Sequence, residues 1–446
     1  MASWSEIASG ENMPLSKALT GEDSVKAREV VECKAEGFCT KDLTKYYEQL
    51  KVLSEKQVIS LQEVEANPDV ALSDQNTELG MFCYTRDTDM DTVDSFTGEC
   101  RGIVFDKYEH LVSKAFGYTP QYAVDEVPSD IKEFILEHFD CCRFFPAWEG
   151  ALVRAFYHKD KWYLTTHRKL DAYKSYWGCR TSFGQMFQNA LVALQSNPEF
   201  KFRSENPVPE FLESLDKSKQ YVFLLVATME NRIVCNPPET PTVLHVGTFQ
   251  NNVMIPSEST GVPLQTPLVV SNFEEVASFI QSTQNDNIHQ GVVVFMPNGK
   301  QIKLCSALYL EYFNLRGNES SVMFRYLQLR GDPIRSQRFR DMYQEHVYRF
   351  DQYETILKQI SEFIYQSYCE RFISRKRIVV PKEEFSIMSA IHSSYKRSKA
   401  KVQLSDVTEY LLSVEPTVLN AMIRRYNEKI RNLEKAELAA QVEPDA

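Results

Sequence analysis

The chain has 446 residues, of which 43% are hydrophobic and 25% charged, so it is long enough for two or three domains that each bury a core. No stretch approaches the ~20 consecutive apolar residues that a membrane span requires, and the first residues are polar. We therefore expect a protein that is neither secreted nor embedded in a membrane. The formal net charge of −11 argues at first against a nucleic-acid partner.

The charge is unevenly distributed along the chain. Residues 320–446 contain 21 Lys and Arg against 17 Asp and Glu, a net charge of +4, so residues 1–319 carry −15. This asymmetry suggests two domains with different roles. The ten cysteines and eight histidines are scattered without a Cys-x-x-Cys pair. They indicate reduced thiols in a cytoplasmic compartment, and neither a disulfide framework nor a zinc site.

The hydrophobic pattern changes twice along the chain. Residues 1–40 lack a period and predict a loosely ordered start, whereas residues 41–65 have the spacing of one or two helices. Beyond residue 317 apolar residues recur at spacings of three and four residues, and the stretch 410–433 has the same spacing. This pattern predicts a helical region followed by a polar tail. Between these regions lie short runs rich in Val, Ile, Leu, Phe and Tyr. These predict β-strands at 101–106, 151–157, 162–166, 221–227, 243–249 and 291–296.

Two tight turns are explicit in the β region, Lys159-Asp160 and Asn298-Gly299. A two-residue turn at the second pairs Val294 with Lys303 and Val292 with Cys305. Strand alternation then predicts one face that carries Gln290, Val292, Val294, Lys303 and Cys305. The opposite face, with Val293, Phe295, Ile302 and Leu304, is apolar and suits a core.

Several motifs follow one another in a fixed order over roughly residues 80–310. The first is Glu99-Cys100-Arg101-Gly102-Ile103, the second Ala147-Trp148-Glu149-Gly150-Ala151-Leu152-Val153, and the third Phe223-Leu224-Leu225-Val226, ahead of the last hairpin. In this order they resemble the phage-type tRNA-repair enzymes, which are ATP-dependent RNA ligases of the covalent nucleotidyltransferase superfamily. The resemblance implies an α+β fold, with an antiparallel-sheet nucleotidyltransferase domain over residues 41–317. An all-α domain over 318–435 and a polar tail over 436–446 would follow it.

The resemblance also implies that the chemistry of the family is lost. The family's nucleophilic lysine falls at Ala147, whose methyl group has no lone pair to attack the α-phosphorus of ATP. Two family glutamates fall at Leu224 and Gln290, and the Lys-x-Lys pair at Lys303 and Cys305. Loss of one electrostatic group typically costs ~10²–10³ in rate, so we expect no intact catalytic residue, no bound metal and no cofactor.

Four residues remain as candidates for binding a nucleotide or phosphate: Arg101, Glu149, Gly150 and Lys303. Each has an ordinary structural explanation as well. An arginine in a strand more often pairs with a carboxylate, a Glu-Gly turn is common, and a strand lysine is commonly solvated. His167 and Arg168, after the first hairpin, fall where the family has a short basic element and lie within reach of phosphates or on the surface.

The helical region carries two basic clusters with aromatic residues close by. Such charge binds RNA through counterion release, and aromatic rings stack on bases, although a solvated helical face gives the same pattern. In the resembling family this region is the usual site of RNA recognition. The RNA-binding candidates are Arg375, Lys376, Arg377, Lys396, Arg397, Lys399 and Lys401.

We therefore expect a ligase-shaped, inactive protein of the cytoplasm that binds RNA or a protein partner within a larger assembly. Large cytoplasmic DNA viruses are one setting for such a protein, which would then be incorporated in a virion. One alternative is an active RNA ligase that joins 5′-phosphate and 3′-hydroxyl ends with ATP and Mg²⁺ through a displaced lysine. The other is a purely structural scaffold.

Overall fold

The structure is a computed structural model that describes residues 46–52, 59–90, 92–398 and 400–442. The strands of these ranges lie between Val70 and Cys305, and every regular element after Cys305 is helical. The predicted α+β class, with antiparallel sheets followed by a helical C-terminal region, is thus confirmed. The domain boundaries remain a prediction, and the expectation for residues 1–40 lies outside the described ranges.

The strands pair into three sheets. They are β1 (Val70–Gln75), β2 (Leu79–Tyr84), β3 (Arg101–Asp106), β4 (Leu111–Ser113), β5 (Gln121–Ala123), β6 (Arg143–Ala147), β7 (Gly150–His158), β8 (Lys161–Thr165), β9 (Gln220–Val226), β10 (Val243–Gln250), β11 (Val253–Ile255), β12 (Gly291–Phe295) and β13 (Gln301–Cys305). The sheet orders are β1-β2-β3-β4, β11-β10-β9-β7-β8 and β5-β13-β12-β6. Neighbours are antiparallel except for β5 and β13, which run parallel.

Helices flank the sheets and make up the C-terminal region, and residues 46–52 are also helical. The helices with defined bounds are α1 (Leu61–Ala66), α2 (Ser95–Glu99), α3 (Ser129–Glu137), α4 (Phe183–Leu194), α5 (Val208–Glu213), α6 (Phe273–Asp286), α7 (Ala307–Arg316), α8 (Val322–Leu329), α9 (Pro333–Met342), α10 (Val347–Tyr368), α11 (Lys382–Ser398), α12 (Leu404–Leu412) and α13 (Pro416–Val442). None of them combines the length and apolar character needed to cross a bilayer.

The first predicted hairpin is confirmed. His158 pairs with Lys161, and the two turn residues Lys159 and Asp160 have φ values of 45° and 64°, as a two-residue turn between right-twisted strands requires.

The predicted register of the second hairpin is wrong by one residue. Lys303 pairs with Val293 and Cys305 with Gly291, because residues 296–300 form a longer loop rather than a two-residue turn at Asn298-Gly299. Val292 and Val294 therefore point with Ile302 and Leu304 into the core, and not with Lys303 as the two-residue turn implied.

The five-stranded sheet has one face in a core and one face toward the other two sheets. Val153, Ala155, Phe223 and Leu225 alternate onto the first face and pack, fully or almost fully buried, against residues of α4 and α5. Each such buried large side chain stabilises the fold by roughly 1.5–3 kcal/mol. The opposite face, which we call the inner face, carries Leu152, Arg154, Val222 and Leu224, which pair across β7 and β9.

The helical region has its own core, formed mainly by α10, α11, α12 and α13. The continuous helical pattern predicted at 410–433 is interrupted, because α12 ends at Leu412 and α13 begins with Pro416. Proline suits the first turn of a helix, where its missing N–H has no intrahelical partner.

Candidate functional site

The candidate site lies where β6, β12 and β13 meet the inner face of β7 and β9. Ala147 ends β6, is 2% exposed and pairs with Gly291, the first residue of β12. Its carbonyl oxygen accepts a hydrogen bond from the N–H of Gln290 at 2.7 Å. At this position, therefore, a methyl group is enclosed between β6 and β12.

Gln290 and Lys303 contact each other directly. The Lys303 ammonium donates to Oε1 of Gln290, which is 5% exposed. Gly291 makes this contact possible, since its φ of 146° interrupts the alternation and turns Gln290 away from the core side of Val292. A Cβ at Gly291 would stand 2.0 Å from the carbonyl oxygen of Leu304, so no other residue fits.

Burial sets the protonation of the two neighbouring groups on β13. It lowers the pKa of the Lys303 ammonium, an effect that Cys305 and Glu149 partly oppose. It raises the pKa of the Cys305 thiol to about 11, so that position is a neutral thiol at pH 7 and supplies no cation. Of these two groups, only Lys303 offers an ammonium, and its partner is Gln290.

Glu149 is bound by the protein itself. Its carboxylate is 2% exposed and accepts hydrogen bonds from the N–H of Ile233 at 2.9 Å, from the N–H of Val234 at 2.8 Å and from the hydroxyl of Tyr309 at 3.2 Å. Burial raises the pKa of Glu149, whereas the N–H donors act against that change. With both oxygens occupied, the carboxylate ties β7 to the segment after β9.

Gly150 and Leu224 have packing roles. A Cβ at Gly150 would lie 2.1 Å from the carbonyl oxygen of Leu225, so only glycine lets β7 approach β9 this closely. Leu224 is half-buried opposite Leu152 and adds an apolar group to the inner face.

Arg101 leads to a pocket that the sequence did not indicate. Its lining residues are Arg101, Ala115, Phe116, Leu152, Arg154, His167 and Val222. His167 and Arg168 lie in the turn beyond β8 rather than in a strand, and Arg168 stacks on Tyr84 at 5.6 Å. Arg154 was missed because it stands inside a β run. The available signal was its place two residues after Leu152, since strand alternation puts both side chains on the inner face.

The two basic clusters of the helical region are brought together by a column of stacked rings. His392 on α11 stacks on Phe372 at 4.0 Å and on Tyr395 at 5.8 Å. Phe372 precedes Arg375, Lys376 and Arg377, while Tyr395 precedes Lys396 and Arg397. All five of these cations are exposed, as is Lys401, and Lys399 lies outside the described residues.

In the described ranges, no three His, Cys, Asp or Glu side chains come together as metal ligands.

No protein-family model matches the chain. Among curated proteins it is similar to the "Immediate-early protein ICP-46 homolog" of Invertebrate iridescent virus 6, with 28% identity over 359 residues, covering 73% of this chain and 76% of that protein. The homolog from Invertebrate iridescent virus 3 is 26% identical over 330 residues, covering 71% and 70%. The "Immediate-early protein ICP-46" of Frog virus 3 is 26% identical over 200 residues, covering 42% and 50%.

Two solved structures are similar at low scores. An archaeal ATP-dependent RNA ligase has 12% identity and a TM-score of 0.31, covering 68% of this chain and 70% of its own. A candidate ATP-dependent DNA ligase from Aquifex aeolicus has 12% identity and a TM-score of 0.35, covering 79% and 96%. The fold assignment rests on the strands and helices described above. Over about seven tenths of its length, the chain is similar in sequence to two iridovirus immediate-early protein homologs.

Proposed function

We propose that this protein is a ligase-like protein without ligase chemistry that binds RNA through the basic surface of its helical region. One observation carries the first part. At the position of the family nucleophile the side chain is the enclosed methyl of Ala147, and the polar groups around it, Lys303, Gln290 and Glu149, already have partners within the protein. To bind ATP there, these contacts would first have to break.

Transfer of AMP to a protein requires a deprotonated amine in line with the α-phosphorus and cations that stabilise the developing charge. Burial does favour the neutral amine of Lys303. Its donation to Gln290, however, engages a proton that would otherwise stabilise the charge developing on a phosphate. ATP and Mg²⁺ therefore have no role in this proposal and belong to the alternative of an active ligase.

The RNA-binding part of the proposal is supported by the stacked column Phe372–His392–Tyr395, which we call the aromatic column. It joins the basic residues before α11 to those at its end, and Tyr395 is 36% exposed. In the part of the chain that the structure describes, no carboxylate forms an ion pair with Arg375, Lys376, Arg377, Lys396 or Arg397. Exposed cations without partners release counterions on binding phosphates, and an exposed ring offers a stacking face.

The similarity to iridovirus immediate-early proteins supports placing this chain in a virus, as a protein of the infected cytoplasm or of an assembly. A structural scaffold would carry the same fold without needing the unpaired cations. The choice between RNA binding and scaffolding therefore depends on the basic surface.

Labelling with α-³²P-ATP and Mg²⁺ tests the inactive centre. The purified full chain is expected to give no labelled band after denaturing electrophoresis, whereas a known ATP-dependent ligase run in parallel gives one. A band that survives denaturation would overturn the proposal and establish the active-ligase alternative.

A salt titration of single-stranded RNA binding tests the basic surface. Neutralising Arg375, Lys376, Arg377, Lys396 and Arg397 to Gln should weaken binding and reduce the salt slope by about 0.7 for each phosphate that is no longer neutralised. The matched control replaces five exposed lysines of the sheet region by Gln, namely Lys161, Lys174, Lys201, Lys217 and Lys300. Equal losses of affinity in both variants, or no RNA binding by the unsubstituted chain, would favour the scaffold.

A further inference from the structure

Two exposed aliphatic side chains lie within the basic surface of the helical region. On the connection between α10 and α11, Val379 is 99% exposed and Ile373 is 61% exposed. No other large apolar residue in the described ranges is as exposed as Val379. Single aliphatic side chains on a surface are common, but two on one short connection beside a charge cluster require an explanation. We call these two residues the apolar tip.

The backbone holds the apolar tip out in solvent. After α10 the chain makes one π-helical turn, which the N–H of Lys376 closes by donating to the carbonyl oxygen of Glu370 at 2.8 Å. Arg375 has a φ of 56°, a left-handed value that is uncommon for residues other than glycine. Beyond this point, no backbone hydrogen bond in the described part of the chain holds residues 377–380. The segment can therefore fit itself to a partner without breaking internal contacts.

The cations around the apolar tip are in excess and unpaired. Residues 369–382 contain five Lys and Arg against one Glu, a net charge of +4. Residues 375–377 are exposed and form no ion pair in the part of the chain that the structure describes. The aromatic column places Lys396 and Arg397 at the same surface. Because salt screens charge within about 10 Å at 0.1 M, this local excess decides which partner is attracted, and not the net charge of the whole chain.

The apolar tip and the cations face the same way. Along residues 377–380 exposure alternates, since Arg377 and Val379 are exposed whereas Ile378 and Val380 are half-buried. Val380 packs against the core of the helical region. In an extended segment, side chains two residues apart point to the same side. Val379 therefore projects beside Arg377, away from the helices.

From this arrangement we infer that the apolar tip and the surrounding cations form a docking surface for an anionic lipid bilayer. The cations are attracted to negative headgroups, and aliphatic side chains are stabilised at the boundary between headgroups and acyl chains. One such signal alone gives weak, reversible attachment, so stable binding takes an apolar group together with a basic patch. A contact of this kind lies on the membrane surface and needs no spanning helix.

RNA accounts for the cations but not for the apolar tip. Phosphates pair with cations and bases stack on rings, whereas the aliphatic side chains of Ile373 and Val379 offer neither contact. A bilayer uses both kinds of side chain. The inference goes beyond the proposed RNA binding and does not rest on it, because the apolar tip has no part in that proposal.

Co-sedimentation with vesicles tests the inference. The full chain is mixed with vesicles of phosphatidylcholine alone or of phosphatidylcholine with phosphatidylserine. It is expected to sediment with the anionic vesicles, to stay in solution with the neutral ones, and to be released by salt, because the attraction is electrostatic. If the chain fails to sediment with anionic vesicles at low salt, or sediments equally with both compositions, the inference is wrong.

Two double variants separate insertion of the apolar tip from attraction by charge alone. Ile373→Ser with Val379→Ser is expected to weaken partitioning onto anionic vesicles by roughly fivefold or more, since less apolar surface leaves water. The matched control is Ile334→Ser with Val269→Ser, on α9 and on the segment before α6, where the side chains are 74% and 73% exposed. The control should partition like the unsubstituted chain. Equal partitioning of the two variants would show that the apolar tip does not enter the bilayer.

Single-stranded RNA is the rival partner in the same measurements. The tip variant should keep the RNA affinity of the unsubstituted chain, because it loses no phosphate contact. Arg377→Gln should instead lower vesicle partitioning by roughly fivefold. If the tip variant loses at least as much affinity for RNA as for vesicles, the apolar tip serves RNA and the inference is overturned. If the unsubstituted chain binds anionic vesicles but no RNA, the proposed RNA binding fails and this inference stands.

Discussion

Glu345 holds Arg232 in a two-point ion pair, with Nε to Oε1 at 2.9 Å and Nη2 to Oε2 at 3.0 Å. Glu345 lies in the short turn between α9 and α10, and Arg232 lies in the segment after β9. The next two residues of that segment, Ile233 and Val234, donate to Glu149. The helical region therefore supports the segment that occupies the carboxylate of the candidate site.

Replacing Glu345 by Gln should destabilise the protein by about 1–3 kcal/mol, because Arg232 is only 7% exposed and would lose its counterion. Equilibrium unfolding in urea measures the change, provided that the slope with denaturant stays constant. Glu311→Gln removes the partner of the exposed Arg338 and is expected to cost less than about 1 kcal/mol. Equal effects of the two substitutions would show that the Arg232–Glu345 pair contributes no more to stability than the exposed Arg338–Glu311 pair.

Gly150 is expected to resist substitution more than an ordinary glycine. In Gly150→Ala the new Cβ would lie 2.1 Å from the carbonyl oxygen of Leu225. This oxygen belongs to the backbone of a paired strand, so it can move away only if the pairing of β7 and β9 is distorted. A loss of about 1–3 kcal/mol or more follows from such overpacking. Gly98→Ala is the matched control, since its Cβ would have its nearest neighbour, Cβ of Tyr118, at 3.8 Å. If thermal melts show the same stability for both variants, the close approach of β7 and β9 does not exclude a side chain at position 150.

The sequence predicted six strands correctly. The runs at 101–106, 151–157, 162–166, 221–227, 243–249 and 291–296 match β3, β7, β8, β9, β10 and β12 to within one residue, because β-branched, aromatic and other apolar residues dominate these strands. The strand β1 was missed, since it is an edge strand with three exposed residues and reads as a polar loop. The strand β6 was hidden by Pro146, which is tolerated because β6 also stands at a sheet edge.

The site was predicted less completely, because its geometry depends on tertiary placement. Strand alternation alone gives the face of Lys303. Whether Gln290 reaches Lys303 depends on the true register of β12 and β13, which the predicted turn missed by one residue, and on the bend at Gly291. Likewise, Phe372 and His392 are twenty residues apart, and only the packing of α10 against α11 stacks their rings. No local periodicity encodes either relationship.

Restoring the lysine alone is expected not to restore nucleotide transfer. In Ala147→Lys the new side chain enters a site where the native residue is 2% exposed, so it lacks room, while Gln290 and Cys305 still fail to supply the missing charges. The variant should remain unlabelled by α-³²P-ATP and Mg²⁺ and should melt at a lower temperature than the unsubstituted chain. A labelled, stable Ala147→Lys would mean that the remaining pocket is competent and that only the nucleophile is missing.

His245 should make the stability of the protein depend on pH. This residue of β10 is 1% exposed, and burial lowers its pKa to about 4 from 6.5, although a hydrogen bond with the carbonyl oxygen of Gly247 acts against the change. Between these two values the unfolded chain binds a proton that the folded protein does not. The stabilisation is therefore complete above pH 6.5 and is lost as the pH falls toward 4, by roughly 2–3 kcal/mol.

The substitution His245→Gln removes this titration and keeps a polar partner for Thr248, whose hydroxyl lies 2.9 Å from Nε2 of His245. Urea unfolding of both proteins between pH 7 and 4.5 gives the change in the free energy of unfolding with pH for each of them. The variant is expected to be less stable at pH 7, where the native hydrogen bond is missing, but to lose less stability on acidification. If the two curves run parallel, protonation of His245 does not drive the acid sensitivity of the fold, and other buried groups such as His167 must account for it.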